Sequence, residues 1–189
     1  MAFIDLSGDS ELFERDRAAL GYVPNYTRLF AHRPAVYEAW LQLRDAIAGS
    51  MDTRRYELAT VAAARSLRSS YCTLAHGKVL ADRFFEPRQV RDIVVDHRSA
   101  GLDEVDVAVM DLAEKVAEDA TSVTEADVQC LRDLGLSDAE ILDVVAAAAA
   151  RCFFSKALDA LGAQADPSFA RLDLELRDVL TVGRPIAES

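Results

Sequence analysis

Cysteine is scarce in this chain of 189 residues, which carries only Cys72, Cys130 and Cys152. An odd, widely spaced set builds no disulfide framework of the kind that staples small secreted domains. Glycine and proline are also few, at 8 and 5, which excludes collagen-like and Gly/Pro-rich low-complexity chains. Long apolar runs are missing. The longest, Val144 to Ala150, is seven residues, against the roughly 20 that a membrane-crossing helix needs. Basic clusters are missing too. With 21 Lys/Arg against 32 Asp/Glu the net charge is −11, a poor balance for neutralising phosphates, so no nucleic-acid partner is expected. The stretch from Met1 to Asp16 has neither a basic segment nor an apolar core and does not read as a secretory leader. The expectation is a soluble, cytoplasmic protein with no membrane or nucleic-acid partner.

What the chain does have is apolar residues, 51% of the total. That is enough for one domain with a sizeable core, and more than a disordered chain carries. The spacing is helical. Val36, Trp40, Leu43 and Ile47 recur at helical intervals, as do Val105, Val109, Leu112 and Val116. Ser137 with Glu140 and Thr124 with Asp127 read as capping boxes. Pro24, Pro34, Pro87 and Pro167 sit near helix starts. Alternating strand patterns are absent, so the predicted class is all-α. Helices are expected near 10–19, 25–31, 34–49, 52–67, 70–84, 87–97, 103–119, 124–134, 137–163 and 167–179. The weakest seam, Gly49–Asp52, suggests an N-terminal helical arm over 1–49 on a compact helical core over 50–180. Residues 181–189 form a tail that reads as loose from Val182 onward. The run Ala146–Ala150 reads as a tightly packed core or subunit-contact helix without chemistry.

Chemistry concentrates around Cys72. Arg68-Ser69-Ser70 interrupts the helical pattern, and Ser70 is the expected N-cap of a helix beginning at Tyr71. Cys72 then lies in the first turn, where the helix dipole favours an anion, and His76 lies one turn on along the same face. An ordinary thiol is only a few per cent thiolate at neutral pH, and a helix N-terminus with a nearby imidazole raises that fraction. Glu57 sits on the preceding helix, ten residues or about 15 Å from its end. If the two helices fold back as a hairpin, Glu57 lies nearer His76 than Cys72, which favours a relay Glu57–His76–Cys72. The bland alternatives are a buried structural cysteine and a solvated glutamate. Cys130 and Cys152 read as core residues, and His32 and His97 as capping or surface residues without metal-spaced partners.

The segment Glu57…Ser69-Ser70-Tyr71-Cys72-Thr73-Leu74-Ala75-His76 resembles the core motif of the carboxymuconolactone decarboxylase/alkylhydroperoxidase D superfamily: a Glu on one helix, then Cys-x-x-Cys, then Ala-His. Its peroxidase-related branch is resembled by the flanks Leu20-Gly21-Tyr22-Val23-Pro24-Asn25 and Phe30-Ala31-His32-Arg33-Pro34. Ser122-Val123-Thr124-Glu125-Ala126-Asp127, Leu161-Gly162-Ala163 and Asp166-Pro167 fit the same branch, so the resemblance spans roughly residues 18 to 170.

That resemblance implies an alkylhydroperoxidase D-like helical fold, a homo-oligomer, and catalytic roles for Glu57 as proton-relay carboxylate, Cys72 as second cysteine and His76 as histidine. Ser69 stands where the family has its first cysteine, so the intramolecular disulfide cannot form. A one-cysteine cycle follows, in which Cys72 attacks a small hydroperoxide and an external thiol reductant restores it. No metal or organic cofactor is expected. Two rivals remain: a cofactor-free lyase of the decarboxylase kind using Glu57 and His76, with Arg54, Arg55, Arg65 or Arg68 anchoring an acidic substrate, and a degenerate, non-catalytic family member.

Overall fold

A computed structural model describes residues 2–7 and 10–188. Among these, the secondary structure is helical: α1 (Glu11–Leu20), α2 (Asn25–Phe30), α3 (Pro34–Ser50), α4 (Thr53–Ser66), α5 (Ser70–Arg83), α6 (Pro87–Asp96), α7 (Glu104–Asp119), α8 (Glu125–Asp133), α9 (Asp138–Ala160) and α10 (Leu174–Leu180). The predicted all-α class holds. Both capping boxes form, Thr124 with Asp127 opening α8 and Ser137 with Glu140 opening α9. The last expected helix does not form as one piece. Pro167–Arg171 is a 3-10 turn, and α10 starts after Asp173, whose side chain accepts the Leu176 N–H.

Helix α4 is the axis of the molecule. Nine consecutive residues, Tyr56 to Ala64, are buried, and four of them are alanines whose small side chains let α5, α7 and α9 pack closely around it. The arm shares this core: Leu12, Phe13, Tyr37 and Trp40 join one apolar cluster with α4, α5, α7 and α9. Helix α3 is rotated from the face its spacing predicts. Tyr37, Trp40 and Ile47 point inward, whereas Val36 and Leu43 are about half exposed. On α9 Phe154 takes the core side and Phe153 lies outside beside them.

The tail is not loose. Its backbone is tied back at Gly183 and Ala187, and the end of α10 just before it is held as well. The Thr73 hydroxyl donates to the Leu180 carbonyl at 2.5 Å, Gly183 N–H to Ser70 Oγ at 2.8 Å, and Ala187 N–H to the Ala165 carbonyl at 2.9 Å. Composition hides such ties because they run through the backbone. No helix among the described residues is long and apolar enough to cross a membrane.

Candidate active site

The turn between α4 and α5 sets the site. Leu67 ends α4, and Arg68 takes a left-handed conformation (φ 55°). This lets Ser69 N–H reach back to the Ala64 carbonyl at 2.9 Å, the closure that usually falls to glycine. The N-cap is Ser69, not Ser70. Ser69 has extended geometry and no side-chain cap, while Ser70 is already helical and spends its hydroxyl on Gly183. The tail thus competes for the side chain that the sequence assigns to capping. Ser69 is fully buried.

Cys72 lies in the first turn of α5, as expected, and is buried at 2% exposure. One turn on, His76 Nδ1 is 2.5 Å from Glu57 Oε2. Glu57 is therefore a buried partner of the imidazole and not a solvated charge. Accepting at Nδ1, the carboxylate fixes the tautomer and leaves the Nε2 lone pair available. Burial pushes His76 below its ordinary 6.5, and repulsion from Arg151 adds to it, together outweighing the Glu57 carboxylate. No hydrogen bond joins His76 to Cys72. The sulfur instead accepts a hydrogen bond from Arg151 Nη1, at 3.6 Å.

Arg151 is the residue that sequence reasoning misses. It comes from α9, is only 3% exposed, and pairs with no carboxylate among the described residues. Its guanidinium lies 5.6 Å from the ring centres of both Trp40 and Phe154, which stack on each other at 4.8 Å. Cation–π contact offsets part of the desolvation cost. The available signal was an arginine directly after five alanines in the most apolar stretch of α9, because a buried arginine without a partner is rare.

These groups face a partly enclosed cavity of about 180 Å³. Cys72, His76 and Arg151 line it together with Arg44 and the rings of Tyr26, Tyr37, Trp40, Tyr71 and Phe154. Tyr71 is held by the buried Asp166 carboxyl at 2.5 Å, which also accepts the Asn25 N–H opening α2 at 2.8 Å. One carboxyl therefore fixes a cavity wall and caps a helix, although burial pushes its pKa up. The arginines suggested as anchors are engaged elsewhere. Arg54 and Arg55 pair with buried Asp106, Arg65 with Glu114, and Arg68 Nε donates to the Val182 carbonyl at 3.5 Å.

Cys152 is half-buried and packs against the core, Cys130 is exposed and so is not the core residue expected, and all three thiols are free. His32 Nε2 lies 2.7 Å from the Asp5 carbonyl. His97 does have carboxylate company, contrary to the expectation: it is buried at the end of α6, with Asp111 and Glu114 of α7 within 4.8 Å of its ring atoms and of each other. Local spacing could not show this because the partners come from another helix. Arg65 and Arg98 already pair with those carboxylates, so the cluster is a compensated ion-pair network.

Residues 34–115 match the carboxymuconolactone decarboxylase family. The fold agrees over nearly the whole chain. An alkylhydroperoxidase AhpD core structure, an uncharacterized peroxidase-related protein from Ralstonia eutropha JMP134, superposes with TM-score 0.78 at 24% identity, covering 89% of this chain and 93% of that one. The chain has the all-α fold of the alkylhydroperoxidase AhpD core, and its residues 34–115 are similar to the carboxymuconolactone decarboxylase family. A second structure, an uncharacterized peroxidase-related protein from Silicibacter sp. TM1040, gives TM-score 0.81 at 21% identity over 90% of this chain and 94% of that one. The debrominase Bmp8, solved as a cysteine-to-alanine variant with 2,3,4-tribromopyrrole, gives 0.71 at 15% identity over 89% and 87%. No curated protein matches the sequence.

Proposed function

We propose that this protein is a thiol-dependent reductase of small hydroperoxides with Cys72 as its nucleophile. The observation that carries the reading is the unpaired Arg151 guanidinium 3.6 Å from the Cys72 sulfur, in a cavity also lined by a His76 held on Glu57. The cysteine proton passes across the cavity to His76 Nε2. The thiolate attacks the distal peroxide oxygen, an S–O bond forms and the O–O bond breaks. The sulfur is oxidised to sulfenic acid, and the departing alkoxide takes the proton from the imidazolium and leaves as an alcohol. One external thiol then displaces water to form a mixed disulfide, and a second releases Cys72. Arg151 stabilises negative charge on the sulfur throughout. The reading needs no metal or organic cofactor.

The test is consumption of tert-butyl hydroperoxide with dithiothreitol, wild type beside Cys72→Ser, with protein mass followed after peroxide and dimedone. Turnover lost in the variant, with one dimedone adduct on wild-type Cys72, is the expected result. Equal, negligible turnover without an adduct sinks the reading. Activity that survives Cys72→Ser but not His76→Ala transfers the site to the lyase chemistry of the decarboxylase branch.

A second reading is favoured by the aromatic cavity walls and the fold shared with the debrominase. The same thiolate would take bromine from an aromatic ring. The ring carbon would gain a proton, an external thiol would displace bromide from the sulfenyl bromide to form a mixed disulfide, and a second thiol would release Cys72. Bromide release from a bromopyrrole, dependent on Cys72, decides between the two. Both readings include self-association through the exposed face of Val36, Leu43 and Phe153, tested by light scattering of wild type beside Leu43→Glu.

A further inference from the structure

The chain carries a net charge of −11, yet no Asp or Glu among the described residues lines the cavity, whereas Arg44 and Arg151 both do. Arg151 is nine-tenths buried and more, and its Nε has no hydrogen-bond partner. Arg44 is the more accessible cation, with a side chain 41% exposed whose partner is the adjacent surface residue Asp45. A buried guanidinium without a carboxylate costs several kcal/mol unless something compensates it. Cation–π contact and a single long contact to sulfur do so only in part. The rest of the lining is aromatic, and its volume of about 180 Å³ is that of a one-ring ligand, since an apolar cavity of roughly 150 Å³ admits benzene.

We infer that the cavity is built for a monocyclic aromatic anion, whose ring lies against Trp40, Phe154 and Tyr71 and whose carboxylate or phenolate is compensated by Arg44 and Arg151. This deepens the thiol-reductase reading by naming its substrate class. It rests on that reading only for the claim that Cys72 attacks what binds. A hydroperoxide or halide borne on such a ring reaches the sulfur, while a simple alkyl peroxide fills neither the aromatic walls nor the charge.

Trp40 is the single tryptophan of the chain, so its fluorescence reports cavity occupancy without any turnover. The wild-type protein is titrated with benzoate, pentafluorophenolate, benzamide and hexanoate, and Cys72→Ser and Arg44→Gln are titrated with benzoate. Saturable changes with benzoate or pentafluorophenolate are expected, with benzamide and hexanoate each at least about tenfold weaker. Which of the two anions binds tighter identifies the charged group. Cys72→Ser keeps benzoate affinity, and Arg44→Gln, at an accessible position that leaves the core intact, loses it about tenfold. The inference is overturned if neither anion saturates by about 10 mM, if benzamide matches benzoate, or if hexanoate does. Binding without peroxide turnover would retire the reductase reading and keep the ligand class. Turnover of alkyl peroxides without aromatic-anion binding would do the reverse.

Discussion

The Arg151 guanidinium and the Cys72 sulfur are 3.6 Å apart across the interface of α9 and α5, and this contact, not one with His76, is the side-chain hydrogen bond made to the sulfur. Arg151→Met keeps much of the volume and the contact with Trp40 and Phe154 but removes the charge. A hydrogen bond to a charged group is worth about 1.5–3 kcal/mol, and tenfold is 1.4 kcal/mol. Alkylation of Cys72 by iodoacetamide at neutral pH should therefore slow by about tenfold or more. The measurement belongs in a Cys130→Ser, Cys152→Ser background, because Cys130 is exposed and would react first. An unchanged rate in a folded variant would reduce Arg151 to a packing residue.

His76 offers a test with two opposite signs. Burial and Arg151 hold the imidazole below 6.5, and Glu57 opposes them. Removing the positive neighbour in Arg151→Met must raise the His76 midpoint toward 6.5. Removing the negative one in Glu57→Gln must lower it further. Titration of the imidazole proton resonances by NMR, assigned with His76→Gln, reads both shifts. Because the neutral ring is the form that accepts the thiol proton, turnover should fall as pH drops through the His76 midpoint, and that acid limb should move with the resonance in each variant. Shifts of the same sign in both would mean that the two groups act on His76 through packing and not through charge.

The helices were legible because apolar periodicity and capping are local properties. Thr124 with Asp127 and Ser137 with Glu140 are each complete within four residues. The pairing of Glu57 with His76 followed from rise per residue along two antiparallel helices. Arg151 lay beyond that reach. It meets Cys72 across 79 residues, through an interhelical packing that no spacing rule encodes. The choice between Ser69 and Ser70 as cap depended on Gly183, more than a hundred residues away. The half-exposed Val36 and Leu43 show the same limit from the other side: a wide apolar stripe on α3 leaves its rotation to its neighbours.

Ser69 and Cys72 are three residues apart, one helical turn along the start of α5. In that geometry two Cα atoms fall inside the roughly 7 Å that a disulfide spans. Ser69→Cys should therefore turn the one-cysteine cycle into a disulfide cycle. After peroxide the variant should be two hydrogens lighter and carry no dimedone adduct, whereas the wild type keeps one. A persistent adduct in Ser69→Cys would show that the N-cap side chain does not reach the sulfur.

Gly183 is where the tail reads the active-site turn. Its N–H donates to Ser70 Oγ at 2.8 Å, and a Cβ built on it would fall 2.0 Å from the Arg68 carbonyl oxygen. That oxygen is backbone in a left-handed turn and cannot rotate aside as a side-chain tip would. Gly183→Ala must therefore push the tail off the turn or the turn off α4, at the 1–3 kcal/mol typical of overpacking. Ser70→Ala is the control, since it removes the tail's hydrogen bond without a clash and should cost only about 1 kcal/mol. Thermal unfolding should rank wild type above Ser70→Ala above Gly183→Ala. Because the same turn presents Cys72, Gly183→Ala should also change the Cys72 alkylation rate, from a position outside the cavity. A variant with a normal melting temperature and normal Cys72 reactivity would mean that the tail is free to leave the turn.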